Sequence, residues 1–150
     1  MDVHLFRRFI SRVVDKNIKV IKGQIMVLRK EEVLAKMNDD QIVVLNILPK
    51  AAFQKLHIKG SKSMPLTEDH KGFAVEVQKN YGKDKRFITY GDHFGLLESY
   101  EAASALMEHG LAAENYSGGV QDWFKAGYPS EGTEVVLTEA AASANPPSFK

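Results

Sequence analysis

RFITYGDHFGLLESYEAASALMEHG, residues 86–110, is the stretch on which the fold turns. Its first five residues, Arg86 to Tyr90, read as a strand of the buried type, as one in the middle of a covered parallel sheet would be. A polar loop with two glycines follows, and Ser99 then stands as the expected N-cap of a helix that turns Ala102, Ala103, Leu106 and Met107 inward. Gly110 supplies its C-terminal stop. Strand, loop and helix in this order make one half of a parallel α/β unit.

The flanking segments repeat the pattern. QIVVLNIL, residues 41–48, is a second, nearly continuous β-branched run, closed by Pro49. Residues 24–28 have the character of a short strand, and Val33, Leu34 and Met37 return to helical spacing. A short helix is expected over residues 51–56, a loop from residue 57 to Leu66, and a longer helix over residues 68–81 on Phe73, Val77 and Tyr81. Residues 114–116 read as a strand and 120–125 as a helix, while residues 135–137 are expected to add an edge strand or a strap. At the N-terminus Leu5, Phe6, Phe9, Ile10, Val13, Val14 and Ile18 share one stripe, with Arg7, Arg8, Arg12 and Lys16 opposite, the pattern of an amphipathic helix. The expected organisation is an N-terminal helix (1–22), an α/β domain with a central parallel sheet and helices on both faces (23–138), and a disordered tail (139–150) rich in alanine and containing Pro146 and Pro147.

Composition narrows the chemistry. The 150 residues are 44% hydrophobic and 26% charged, enough to bury the core of one domain. A net charge of +1 provides no basic excess for phosphate backbones, so nucleic-acid binding is not expected. No run reaches the length of a membrane span, and a cytoplasmic location is expected. The chain contains no cysteine, which excludes disulfides, thiolate metal sites and every mechanism with a cysteine nucleophile.

The joint order of several motifs resembles a rhodanese-like domain over roughly residues 24–131. His57-Ile58-Lys59-Gly60 is similar to that family's "H-I-x-G" segment, and Ser99 to Ala103 with Leu106 and Gly110 looks like the helix leaving its active-site loop. Gly118-Gly119 through Trp123 to Ala126-Gly127-Tyr128-Pro129 resembles the closing "GG-x-x-x-W-x-x-A-G-Y-P". Independently of the resemblance, Gly118-Gly119 suits a tight turn, Trp123 a core anchor, and His57 a hydrogen-bonded structural role.

The resemblance implies sulfur transfer through a cysteine directly after the strand of residues 86–90, held in a cup of backbone amides. Gly91 stands there, and Leu96 stands where some relatives carry a later cysteine. Asn46 and Leu48 replace the family's aspartate and arginine, and Glu98 stands before Ser99 where arginine is frequent, an acidic group at the mouth of an anion cup. No thiosulfate sulfurtransferase or cysteine-dependent phosphatase activity is expected, nor any catalytic residue, metal or cofactor.

The expected role is a binding or regulatory module. Its candidate contact loop is Gly91, Asp92, His93, Phe94, Gly95, Leu96, Leu97, Glu98 and Ser99, with Phe94, Leu96 and Leu97 as apolar contacts and the basic N-terminal helix assisting. A protein partner is expected, with a homodimer through that helix as another use of its apolar face. Two alternatives stand beside this reading: an accessory subunit working with a cysteine-bearing sulfurtransferase, and an enzyme using Asp92 and His93, with Glu98 or His57, for chemistry without a thiol. Against the last, adjacent Asp and His side chains are expected to point to different sides of the loop, and no metal-ligand spacing joins them to His70 or His109.

Overall fold

The computed structural model describes residues 25–144. The amphipathic stretch of residues 5–18 lies outside the described residues, as do residues 145–150 of the expected tail.

Five strands form one parallel sheet: β1 (Val27–Leu28), β2 (Ile42–Asn46), β4 (Lys62–Ser63), β5 (Arg86–Tyr90) and β6 (Ala112–Tyr116), in the order β1-β6-β5-β2-β4. β5 is central, paired from Arg86↔Ala112 to Tyr90↔Tyr116 on one side and from Ile42↔Arg86 to Asn46↔Tyr90 on the other. That position explains why RFITY carries no polar alternation: both of its faces are covered. Helices α3 (His70–Tyr81) and α4 (Glu98–Glu108) cover one face over Leu45, Ile47 and Phe87. The other face carries Val44, Ile88, Tyr90 and Tyr116 beneath α1 (Lys30–Lys36), through Val33, and α5 (Gly119–Lys125), through Val120 and Trp123. A helix layer on each side of a parallel sheet is the architecture expected from the alternation of elements.

A second sheet, absent from the sequence reading, pairs β3 (His57–Ile58) antiparallel with β7 (Ser130–Glu131) after the short helix α2 (Lys50–Lys55). Strands two residues long leave too little periodicity to be read in advance. Residues 57–66, expected as loop, therefore contribute both β3 and β4. Residues 135–137, expected as an edge strand or strap, lie inside α6 (Thr133–Ala144). The edge position beside β3 is taken by Ser130–Glu131, and Val135 packs against the Trp123 cluster from a helix. α6 also takes in residues 139–144, which the sequence suggested for the tail; four of these six are alanine, the strongest helix former.

The expected N-cap role of Ser99 is also corrected. α4 begins at Glu98 after Leu97, and Ser99 sits buried in the first turn, where its carbonyl accepts the Thr89 hydroxyl at 2.6 Å. Glu98 and Glu101 supply negative charge to that turn, which favours the helix dipole in place of a side-chain cap. At the other end Gly110, with φ of 86°, stops the helix as expected.

The C-terminal end of β5 is tied down by one hydroxyl. Tyr90 Oη accepts from Asn46 Nδ2 on β2 and from the Ile58 amide on β3, both at 3.0 Å. Ser61 Oγ spends its proton on the Ile58 carbonyl at 2.7 Å, so Tyr90 donates to Ser61 across the 2.6 Å contact. Every polar capacity of a fully buried phenol is thus used. Tyr90→Phe leaves two buried donors, Asn46 Nδ2 and the Ile58 amide, without a partner and should cost about 2–4 kcal/mol. The check is chemical denaturation with the slope unchanged; a loss under about 0.5 kcal/mol would show that the hydroxyl holds nothing.

Candidate functional site

The loop leaving β5 starts at Gly91, which is buried with ordinary backbone angles. A Cβ built there would meet Ile47 Cδ1 and Leu96 Cδ1 at 3.8 Å and Leu48 Cδ2 at 3.9 Å, ordinary contact distances. The position has room for a side chain, and all three neighbouring atoms are hydrocarbon. Asn46 and Leu48 shape this floor in a way that explains their chemistry: the Asn46 amide, fully buried, donates to Tyr90 and accepts the Leu48 amide proton at 3.0 Å. A neutral network stands where an ion pair was implied.

From Gly91 onward the loop is pinned by the start of α5. Val120 and Gln121 donate their amides to the carbonyls of Gly91 and Asp92, both at 2.9 Å. Such an approach is open only because residue 119 is glycine. Its φ is +73°, and a Cβ there would lie 2.5 Å from the Asp92 carbonyl carbon and 2.6 Å from the His93 nitrogen. At Gly118 a Cβ would run into Asp122 and the Tyr116 ring. The glycine pair expected to make a tight turn is therefore the clamp on the candidate loop.

Asp92 and His93, expected to diverge, point at one another: His93 Nδ1 lies 2.9 Å from Asp92 Oδ2, and Gln121 Nε2 donates to Asp92 Oδ1 at 3.3 Å. The anchoring of Asp92 through α5 brings its carboxylate round to the imidazole. Beyond them Phe94 and Leu97 are 61% and 67% exposed, Leu96 is half-buried toward Gly91, and Gly95 supplies a positive φ of 89° at the bend. Glu98 is exposed as the first residue of α4, so the acidic group suggested for the loop mouth also starts the following helix. His57 lies elsewhere: its Nδ1 donates to the Phe53 carbonyl at 2.7 Å and its ring stacks on Phe53 at 3.8 Å, the structural role expected of it. Trp123 is the core anchor, donating its indole N–H to the Pro129 carbonyl at 2.8 Å with Tyr128 packed edge-on.

Sequence reasoning missed a cleft beside the loop. At the C-terminal ends of β1 and β6, a hollow of ≈ 290 Å³ lies between Leu28, Lys30, Phe94, Tyr116, Ser117 and Asp122. Open α/β sheets bind ligands at such strand ends. Within it Lys30 Nζ reaches Asp122 Oδ1 at 3.3 Å and Tyr116 Oη donates to Asp122 Oδ2 at 2.7 Å. The spacing of 92 residues between Lys30 and Asp122 leaves no sequence signal. A larger hollow of ≈ 750 Å³, against α3 with Met64, Pro65 and Val75 among its walls, contains no residue of the loop. No group of three or more His, Asp or Glu side chains among the described residues could hold a metal. No described helix is long and apolar enough to cross a membrane.

The comparison with known families decides the identity of the scaffold: the model of the rhodanese-like domain matches residues 29–126. The chain belongs to the rhodanese-like family. Among solved structures it is similar to a protein of Bacillus halodurans, at 18% identity over 87% of this chain and 86% of that one, with a TM-score of 0.65. A full-length protein from Lactobacillus plantarum matches at 24% identity over 79% of this chain and 98% of that one, TM-score 0.61. The rhodanese-like domain of an Anabaena protein matches at 16% identity over 83% of this chain and 86% of that one, TM-score 0.62. At these identities the likeness is one of fold. Among curated proteins no sequence match was found. A rhodanese-like domain with no cysteine fits a non-catalytic module.

Two measurements follow from the geometry. Gly91→Ala, filling ordinary space, should change stability by less than about 1 kcal/mol, whereas Gly119→Ala combines a disallowed φ with a backbone collision and should cost more than about 2 kcal/mol. Denaturant midpoints of the two variants give the comparison, and equal costs would contradict the clamp. The second concerns pH. Burial and then the Asp122 carboxylate hold the Tyr116 hydroxyl well above the ordinary tyrosine range, and burial raises Tyr90 likewise. The unfolded chain releases these protons near pH 10 while the native one keeps them, so the stabilisation is complete below about pH 10 and declines above it. Between pH 9.5 and 11 the stability of Tyr116→Phe should fall less steeply than that of the wild type; equal slopes would assign the alkaline loss to other groups.

Proposed function

We propose that this rhodanese-like domain is a pseudoenzyme whose loop after β5 serves as a contact surface for a protein partner. The single observation that carries the reading is the composition of that loop in place: Gly91 at the family's nucleophile position on a hydrocarbon floor, with Phe94 and Leu97 turned to solvent. A cup built to grip an anion would place cationic or amide groups at its rim. Here the rim is an aromatic ring, a leucine, an Asp–His pair and Glu98. Two large apolar side chains held by a clamped backbone lose little freedom on association, which favours recognition of a partner's apolar surface. The Asp92–His93 pair is read as part of the staple to Gln121, not as a catalytic dyad.

Two assays test this. The full-length wild type, given thiosulfate and cyanide, should form no thiocyanate above a heat-denatured control; turnover would overturn the pseudoenzyme reading. For binding, a photo-crosslinking phenylalanine at position 94 in the native host should yield a discrete partner adduct that Leu97→Asp removes. The same group at Val75, an exposed position on α3, should not yield it. No adduct at position 94, or the same adduct from both positions, would sink the contact-surface reading.

A further inference from the structure

The charges of this chain are sorted by segment. Residues 87–124, which run from β5 through the loop and α4 into α5, contain six Asp and Glu and neither Lys nor Arg. All thirteen Lys and Arg of residues 25–144 lie outside that stretch, against eleven Asp and Glu. On the loop Asp92 is half-buried, and in the first turn of α4 Glu98 and Glu101 are exposed. Three residues apart, these two glutamates are neighbours on one face of the helix. Asp92 meets His93 and Glu101 lies near His70, but none of the three carboxylates has a Lys or Arg partner among the described residues. Phe94 and Leu97, both exposed, stand among them. The hollow of ≈ 290 Å³ beside the loop differs from this acidic rim. Inside it Asp122 has both oxygens engaged, by Lys30 and by Tyr116, and Val27, Leu28 and Phe94 supply apolar wall. Val27 is 51% exposed on the outermost strand. Two helices of about 10 Å width roof roughly four strands spaced at about 4.8 Å, so that strand stays bare. The volume falls just under the roughly 300 Å³ at which pockets for whole drug-sized ligands begin, and suits one large side chain.

We infer that this face takes a cationic segment of a protein partner, with one large apolar side chain entering the hollow between Val27 and Phe94 and flanking Lys or Arg lying over Asp92, Glu98 and Glu101. The inference deepens the contact-surface reading and rests on it. Charge complementarity selects this occupant. A nucleic acid or an acidic peptide would meet like charge along the whole rim. A purely apolar segment would cover carboxylates without pairing them, which costs free energy. The two parts of the site have separate effects. Charges at an exposed rim govern encounter rate and choice of partner, while an anchor side chain desolvated in a pocket holds the complex together.

Labelled peptides of equal length, one of Leu and Arg, one of Leu and Glu and one of Ser and Arg, test this on the full chain by fluorescence anisotropy. The Leu/Arg peptide should bind at least about tenfold more tightly than either of the others. Glu98→Gln combined with Glu101→Gln should weaken its binding about fivefold, and Val27→Asp should weaken it as much although it adds a negative charge. Denaturant midpoints check that both variants stay folded. Equal affinity for the Leu/Arg and Leu/Glu peptides, or an unchanged affinity in the glutamine variant, would overturn the cationic partner. Equal affinity for the Leu/Arg and Ser/Arg peptides, or tighter binding by Val27→Asp, would overturn the anchor. In the native host, the adduct formed from position 94 should map to a partner segment rich in Lys and Arg around the crosslinked residue. An adduct on an acidic or uncharged segment, within this chain or on a second copy of it would sink this inference and leave the loop a contact surface. No adduct at all would take both readings down.

Discussion

The hydroxyl of Tyr90 is the constraint from which the site takes its geometry. A phenol buried at the end of the central strand must have its donor and both acceptors used, and the chain meets that demand with Asn46, Ile58 and Ser61 from three separate segments. Satisfying one oxygen thereby brings the end of β2, strand β3 of the small second sheet and the turn after it to the point where β5 gives way to the loop. The register Asn46↔Tyr90 and the Ile47 amide bond to the Tyr90 carbonyl at 3.1 Å continue the same junction. Whatever the loop does, it starts from a fixed base.

The far side of the loop is fixed by a different kind of constraint. Gly119 lets the backbone of α5 come within contact of Asp92 and His93, and two amides of that helix then hold the carbonyls of residues 91 and 92. One end is thus held by a side-chain network and the other by main-chain approach. Neither device depends on a nucleophile. The loop keeps its shape without a thiol, because the residues that shape it act through hydrogen bonds and close backbone approach. The neutral Asn46 amide belongs to the same pattern: a buried amide sharing bonds with a phenol and a backbone N–H avoids desolvating a charge.

The sheet was legible in the sequence because its central strands are buried on both faces, which writes largely apolar, β-branched runs into residues 41–48 and 86–90. The closing glycines and Trp123 were legible because few residue types meet their demands. The second sheet and β4 were not, since two-residue strands owe their existence to a partner rather than to a pattern. Val135 and Val136 misled because β-branched residues favour strands weakly, and packing against the Trp123 cluster with an alanine-rich continuation overrode that preference. The orientation of Asp92 toward His93 was misread for a related reason: adjacency fixes backbone direction, but the bond to Gln121 turns the carboxylate.

By itself the sequence determined the family of folds, the covered parallel sheet and the absence of thiol chemistry, since each follows from residue types that have no substitute. Cysteine chemistry needs cysteine, and a largely apolar strand needs cover. Only the tertiary structure decided that Phe94 and Leu97 face solvent while Leu96 turns inward, that Lys30 meets Asp122 across the chain, and that the outer strand is left half bare. Those are relations between segments far apart in the chain, set by the closing of the sheet around Tyr90 and by the limited width that two helices can roof. No local pattern of residues encodes them.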